Sequence, residues 1–254
     1  MTSDQGSRRL SLYVTGDHEC AYLPDRTART VFVDPNFPLK NGHYSALIRQ
    51  GMRRSGRYIY HPGCPSCNAC QSLRVPAREF QPRRRQRRCW RLNGDLRSTV
   101  RSAGFHREHF DLYRHYLSTR HPGGGMDAHD EAGYTDFLIC PWAETRFVEF
   151  RLDGRLLAVT VIDLVADGFS AVYTFFDPVE TRRGLGSYAI LWQIDAARRY
   201  GLDYVYLGYW IAECDKMRYK ADYRPCEVYR SGAWERLAPP GTPSAHGEPS
   251  DSHT

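Results

Sequence analysis

An α+β fold in two unequal parts is predicted by three observations. The first hundred residues are dense in turn formers, aromatics and cysteines; three β-rich runs follow one another from residue 146; and a glycine-rich turn then opens a long helix. Residues 1–100 accordingly read as a small cysteine-containing N-terminal domain that also holds a basic block. Residues 101–237 read as a second, more regular domain. The stretch 238–254, APPGTPSAHGEPSDSHT, is almost without apolar residues and is expected to be a disordered tail. A chain of 254 residues, 41% of them hydrophobic, has ample material for a buried core.

In chain order, RTVFVDP and RYIYHP are short extended runs of the first part. YSALIRQGMRRSG, residues 44–56, spaces its apolar residues for a helix that closes on Gly56. HREHFDLYRHYLSTRH is an amphipathic helix that stops at Pro122 and the glycines behind it. RFVEFRLDG, RLLAVTVIDLVADG and FSAVYTFFDP, divided by Gly-containing turns, form an antiparallel meander. RRGLGSYAILWQIDAARRYGL is the glycine-opened helix, YVYLGYWI a further strand, and KMRYKADYRP leads out of it. Meander, glycine turn, helix and strand are the layout of an N-acetyltransferase-like acyltransferase domain. In such a domain, backbone N–H groups of the turn hold a pyrophosphate at the helix N-terminus. Here RRGLG, Arg182 to Gly186, would be that turn.

Several function classes drop out. No apolar run approaches the ~20 residues of a membrane span, and residues 1–16 lack the apolar stretch of a signal peptide. A cytoplasmic location with no membrane partner is expected. No Ser-His-Asp, Walker or HExxH arrangement is present, so covalent catalysis has no evident carrier. Direct attack of a neutral α-amine on an activated ester needs none, only positioning and stabilisation of an oxyanion.

Charge is concentrated. Within a net charge of +6, eleven arginines lie from Arg74 to Arg107, and the block RRRQRR contains no acid. Arginine in place of lysine, with Trp90 alongside, points to the phosphates of a nucleic acid. Arg83, Arg84, Arg85, Arg87 and Arg88 are the candidate contacts. Just upstream, Cys64, Cys67 and Cys70 offer three thiolates where zinc or an iron–sulfur cluster needs four ligands. Cys20 is the best fourth; zinc, a cluster and no metal all stay open. In LGYWIAECDKMRYKADYRP, Lys216 and Lys220 fall on one helix face at i, i+4 and suit a substrate carboxylate, with Tyr209 and Tyr219 among them. Asp177, before Pro178 at a strand end, suits an amine-orienting group or base as well as it suits a plain turn aspartate.

Taken together, CAYLPDR, GMRRSGRYIYHPGCPSCNACQSLRVP, RRRQRR, HPGGGMD, VYTFFDP, RRGLGSYAILWQI and LGYWIAECDKMRYKADYRP resemble, in that order, the bacterial aspartate/glutamate leucyltransferases. These are short relatives of the eukaryotic arginyl-tRNA–protein transferases. The resemblance spans residues 10–236 and implies leucyl-tRNA as donor, proteins with N-terminal Asp or Glu as acceptors, and a place in N-degron protein degradation. It further implies an acetyltransferase-like domain that works without acetyl-CoA, and RNA rather than DNA as the nucleic acid. On this basis Arg53, Arg54, Lys216 and Lys220 are expected to read the acidic side chain. Tyr58, Tyr209 and Tyr219 are expected to line the aminoacyl and peptide pocket, with Asp177 orienting the amine and the five arginines on tRNA phosphates. Arginine as the donor amino acid, an acetyl-CoA-dependent acetyltransferase and a non-enzymatic RNA-binding protein are the competing readings.

Overall fold

The computed structural model describes residues 10–120 and 130–238. It begins with β1 (Leu12–Val14), β2 (His18–Glu19), β3 (Thr27–Ala28), β4 (Thr30–Val33), α1 (Asn41–Arg49), β5 (Arg53–Ser55) and β6 (Tyr58–Pro62). Strands β1, β4, β6 and β5 pair in that order as an antiparallel sheet, and β2 pairs with β3. The helix expected over 44–56 is shorter and earlier. It ends at Arg49 because Gly51 turns left-handed at φ +79°, and a second such residue, Gly56 at φ +56°, then closes the β5–β6 hairpin.

The chain continues through β7 (Gln71–Pro76), α2 (Arg84–Leu92), β8 (Arg97–Ser102), α3 (Arg107–Arg120) and α4 (Glu131–Leu138). The expected meander follows as β9 (Glu144–Leu152), β10 (Arg155–Val165) and β11 (Gly168–Phe176), antiparallel throughout. Then come α5 (Leu185–Arg199), β12 (Tyr204–Trp210) and α6 (Asp215–Arg218), which tightens into a 3₁₀ turn (Tyr219–Asp222). The hairpin of β13 (Glu227–Arg230) and β14 (Ala233–Arg236) closes the described chain. The expected stop at Pro122 and the expected tail from residue 239 onward lie outside the described residues.

Eight strands form the large sheet, in the order β14-β13-β7-β12-β11-β10-β9-β8. Only β11 and β12 are parallel neighbours, because α5 makes the crossover between them. Since β7 and β8 precede or straddle residue 100, strands from both parts of the chain share this sheet. Alternation along the strands loads both faces. On one, α5 sets Leu185, Ala189 and Leu191 against Leu157, Phe169 and Val205. On the other, α3 and α4 set Phe110, Tyr113 and Tyr134 against Val159, Val161 and Phe175, while α1 brings Tyr44 and Ile48 to Val165 and Tyr206. Among the described residues, no helix is long and apolar enough to cross a membrane.

One buried charge cluster braces the outer end of the sheet. Burial raises the Glu149 carboxyl, but Arg151 Nε and His109 Nε2, each donating at 2.9 Å, bring it down to about 2. The folded value lies below the unfolded one, so this stability is present above the ordinary carboxylate range and is lost as pH falls through it. Glu149→Gln is therefore expected to lose about 2 kcal/mol at pH 7. Thermal melts followed by circular dichroism should show that deficit shrinking as pH is lowered towards about 2.

Candidate active site

The large sheet opens in its middle. β11 and β12 pair over three positions only, Gly168–Tyr204, Phe169–Val205 and Ser170–Tyr206, although β11 runs on to Phe176 and β12 to Trp210. Beside the opening, β12 slips register against β7 between Tyr206 and Gly208, and β10 slips against β11 between Val161 and Ile162. The two parallel strands thus diverge as a V whose inner backbone has left the ladder.

Arg53 fills the apex of the V. From β5 its Nη1 donates to Tyr206 O and Ser170 Oγ, both at 3.3 Å, and its Nη2 donates to Ala171 O at 2.6 Å. One guanidinium so bridges both strands where their own pairing stops. Gly208 makes the room: its φ is +84°, and a Cβ there would stand 3.0 Å from the Arg53 guanidinium. Next along β12, Tyr209 O accepts from Lys220 Nζ at 2.6 Å. Burial, then the like charge of Arg53, pushes Lys220 down to about 7. The Tyr209 hydroxyl donates to Tyr60 O at 3.0 Å, with Gly51 O within reach at 3.3 Å, and its ring meets Tyr60 edge-on at 5.7 Å. Burial holds that phenol far above its ordinary pKa, and its hydroxyl ties β12 to the loop and strand of the first part of the chain.

Neither Arg53 nor Lys220 has a carboxylate within ion-pair reach among the described residues; both donate only to carbonyls and a hydroxyl. Two inward-facing cations without a counter-ion are costly in a folded chain. Such an arrangement marks a place where an anionic ligand completes the site.

The other expected residues are placed differently. Arg54 is used inside the fold: Nε and Nη2 bind Asp163 at 2.5 and 2.7 Å, Nη1 donates to Gly56 O at 3.0 Å, and Nη2 also reaches Leu138 O at 3.1 Å. Both side chains of this pair are fully buried, so Arg54 is committed to the fold and does not face a substrate, and its expected role is corrected. Lys216 and Lys220 do not share a face, because the α-helix stops at Arg218; Lys216 is exposed and Lys220 turns inward. Tyr58 stands exposed beside the turn of its hairpin, against Phe32, while Tyr60, two residues on, meets Tyr209. Asp177 accepts from Val179 N–H at 3.0 Å and sits 3.5 Å from Arg155, which closes the turn into α5. Tyr219 lies at the surface beside Tyr116.

The four expected metal-ligand cysteines gather in one neighbourhood. Burial, then the Cys20, Cys64 and Cys67 thiols with Cys214, raises Cys70 to about 12. Cys64 Sγ points instead to Arg29 O at 3.8 Å, and among the described residues no three His, Cys, Asp or Glu converge as metal ligands. As placed, these thiols do not fit an ion or a cluster. Cys70 does lie near Tyr60 and Tyr209, so the loop backs the site.

RRRQRR winds into an amphipathic helix, which the block's charge alone did not announce. Arg83, Arg84, Arg85, Arg87 and Arg88 are exposed, while Gln86 is buried and donates to Asp222 O at 3.2 Å. The underside of α2 lies across the RRGLG turn. Asn93 Nδ2 donates to Arg183 O at 2.8 Å, Cys89 Sγ reaches Gly184 O at 3.5 Å, and Arg183 pairs with Asp95 at 2.9 Å.

Two family models match this sequence: "Arginine-tRNA-protein transferase, N terminus" over residues 18–88 and "Arginine-tRNA-protein transferase, C terminus" over 108–230. An aspartate/glutamate leucyltransferase of Alkalilimnicola ehrlichii is 55% identical over 232 residues, covering 91% of this chain and 97% of that protein. One of Nitrosococcus oceani is 49% identical over 230 residues, covering 90% and 96%. Among solved structures, FemX is similar at a TM-score of 0.45 and 10% identity, over 82% of this chain and 81% of that one; so slight a likeness carries no argument.

Proposed function

The chain belongs to the arginine-tRNA-protein transferase family, and from that premise we propose that it moves leucine from leucyl-tRNA to the α-amine of proteins beginning with Asp or Glu. The pair of inward-facing cations without a counter-ion, Arg53 and Lys220, carries this reading. The acceptor's side-chain carboxylate enters the V and pairs with both. Its own α-amine, a few bonds away, is thereby aimed at the aminoacyl ester. The neutral amine's lone pair forms the new C–N bond at the ester carbonyl carbon, the ribose oxygen leaves with the bonding pair, and the surplus amine proton passes to that oxygen or to water. Tyr209 holds Lys220 through its carbonyl and pins the β5–β6 hairpin through its hydroxyl. The exposed arginines of α2, with Arg83 before them, suit the phosphates of the tRNA. The position of α2 across the RRGLG turn weighs against an acetyl-CoA pyrophosphate there.

The test offers the protein leucyl-tRNA, arginyl-tRNA or acetyl-CoA with peptides beginning Asp, Glu or Ala. Leucine should appear on Asp and Glu peptides alone. Equal transfer to Ala, or none to Asp and Glu, rejects the acceptor reading, and arginine in place of leucine rejects the donor. The same assay run over pH tests Lys220. Only the protonated amine pairs with a carboxylate, and the free site loses that proton near pH 7. KM for a Glu peptide should therefore climb as pH rises past about 7. Lys220→Arg, charged throughout, should flatten the climb.

A further inference from the structure

A cavity of about 370 Å³ opens between α2 and α5, on the face of the sheet that α5 covers and apart from the V. Its walls are Phe80, Trp90, Leu191 and Ile194, and its mouth carries Arg87, Arg91, Arg198 and Asp195. Trp90 leans on Tyr188 at 5.4 Å and stays 36% exposed, so much of a large ring remains open to a ligand. Arg91 and Arg198 are exposed and join no ion pair among the described residues, and Arg87 donates only to the nearby Pro82 O at 2.5 Å.

An apolar slot with an accessible indole and three guanidiniums at its rim is matched to a flat π system that carries phosphate on either side. An aliphatic partner side chain would fill the walls and leave the three cations unanswered. A base-paired helix would answer the cations, but its bases are stacked out of reach. An unpaired nucleotide answers both. We infer that this cavity takes one unpaired base of the transfer RNA, stacked on Trp90, with its flanking phosphates on Arg87, Arg91 and Arg198. The assignment rests on the tRNA reading above. It continues the track of phosphate contacts on the outer face of the same helix, α2. The aminoacylated terminal nucleotide belongs at the V, so the base held here is another. Asp195 accepts from Arg199 Nε at 2.9 Å through Oδ2; Oδ1 has no hydrogen bond among the described residues and can accept from the exocyclic amine of A, C or G, which U lacks.

The test compares wild type, Trp90→Ala and Trp90→Phe for binding to leucyl-tRNA and to a blunt, fully paired RNA duplex. Stacking on one aromatic ring is large enough that Trp90→Ala should weaken tRNA binding by about tenfold, with Trp90→Phe within about threefold and duplex binding unchanged in all three. Equal tRNA binding by Trp90→Ala, or an equal loss on the duplex, overturns the assignment. Fluorescence gives a second reading that does not depend on how Trp90→Ala folds. Leucyl-tRNA should quench indole emission in wild type more than in Trp90→Phe, and equal quenching overturns the proposal as well. Wild type that transfers leucine while Trp90 proves silent removes this cavity alone. Wild type that neither binds nor transfers from leucyl-tRNA removes the cavity and the transferase reading together.

Discussion

Arg53→Met is expected to cut kcat/KM for peptides beginning with Asp or Glu by about thirtyfold or more while leaving leucyl-tRNA affinity unchanged. Losing one partner of a desolvated charge pair costs about 2–5 kcal/mol, and each 1.4 kcal/mol is tenfold. Arg53 also ties Tyr206 O on β12 to Ala171 O on β11, so the variant removes a donor from each of two carbonyls as well. That loss should lower stability by about 1–3 kcal/mol. Two measurements separate the effects. A melting curve reports the structural loss, and the ratio of transfer to Glu and to Ala peptides reports the recognition. Arg53→Lys keeps a cation but cannot fork to both strands, so it should retain part of the Glu preference at reduced rate. A folded Arg53→Met that still prefers Glu over Ala would remove Arg53 from acceptor recognition.

Asp163→Ala is expected to be the most destabilising single change, about 3–5 kcal/mol in urea unfolding, because it leaves the Arg54 guanidinium buried and unpaired. That is a large part of the 5–15 kcal/mol by which ordinary domains are stable. The partner change should rescue it. Replacing the pair together, Arg54→Met with Asp163→Leu, removes both charges and should recover most of the loss. A double variant no more stable than Asp163→Ala would show that the charges themselves, beyond their mutual compensation, hold this region. The pair reaches four elements: the β5–β6 turn through Gly56 O, the end of α4 through Leu138 O, β9 through Thr145 Oγ1, and β10 through Asp163. Arg53 is the next residue on β5, and successive residues of a strand point opposite ways. Anchoring Arg54 therefore also aims Arg53.

Local chemistry was readable and distant chemistry was not. The meander, the glycine-opened helix and the strand after it follow from periodicities and turn residues within short windows, and they stand where they were expected. The helix expected to close on Gly56 stops at Arg49 because Gly51 already turns left-handed. Arg53 and Arg54 look alike in MRRSG, yet one faces the V and the other a buried carboxylate. What separates them is the docking of β5 on strands more than a hundred residues away, which no local pattern encodes. One signal was there to be used. An aspartate inside VTVIDLV, an otherwise apolar strand, asks for a buried cation. A glycine inside YVYLGYWI similarly asks what approaches the backbone there. Their answers are Arg54 and Arg53.

The position of β7 sets how this enzyme can be handled as an object. Two sequence segments match two family models, which invites cutting between them, yet β7 comes from the first and lies inside the sheet between β12 and β13. A piece starting near residue 101 would carry the strand that lines the V with one whole edge stripped, an open template for sticking to its own copies. It would also lack Arg53. The two halves are inseparable parts of one tool, and neither half is a smaller working version of it.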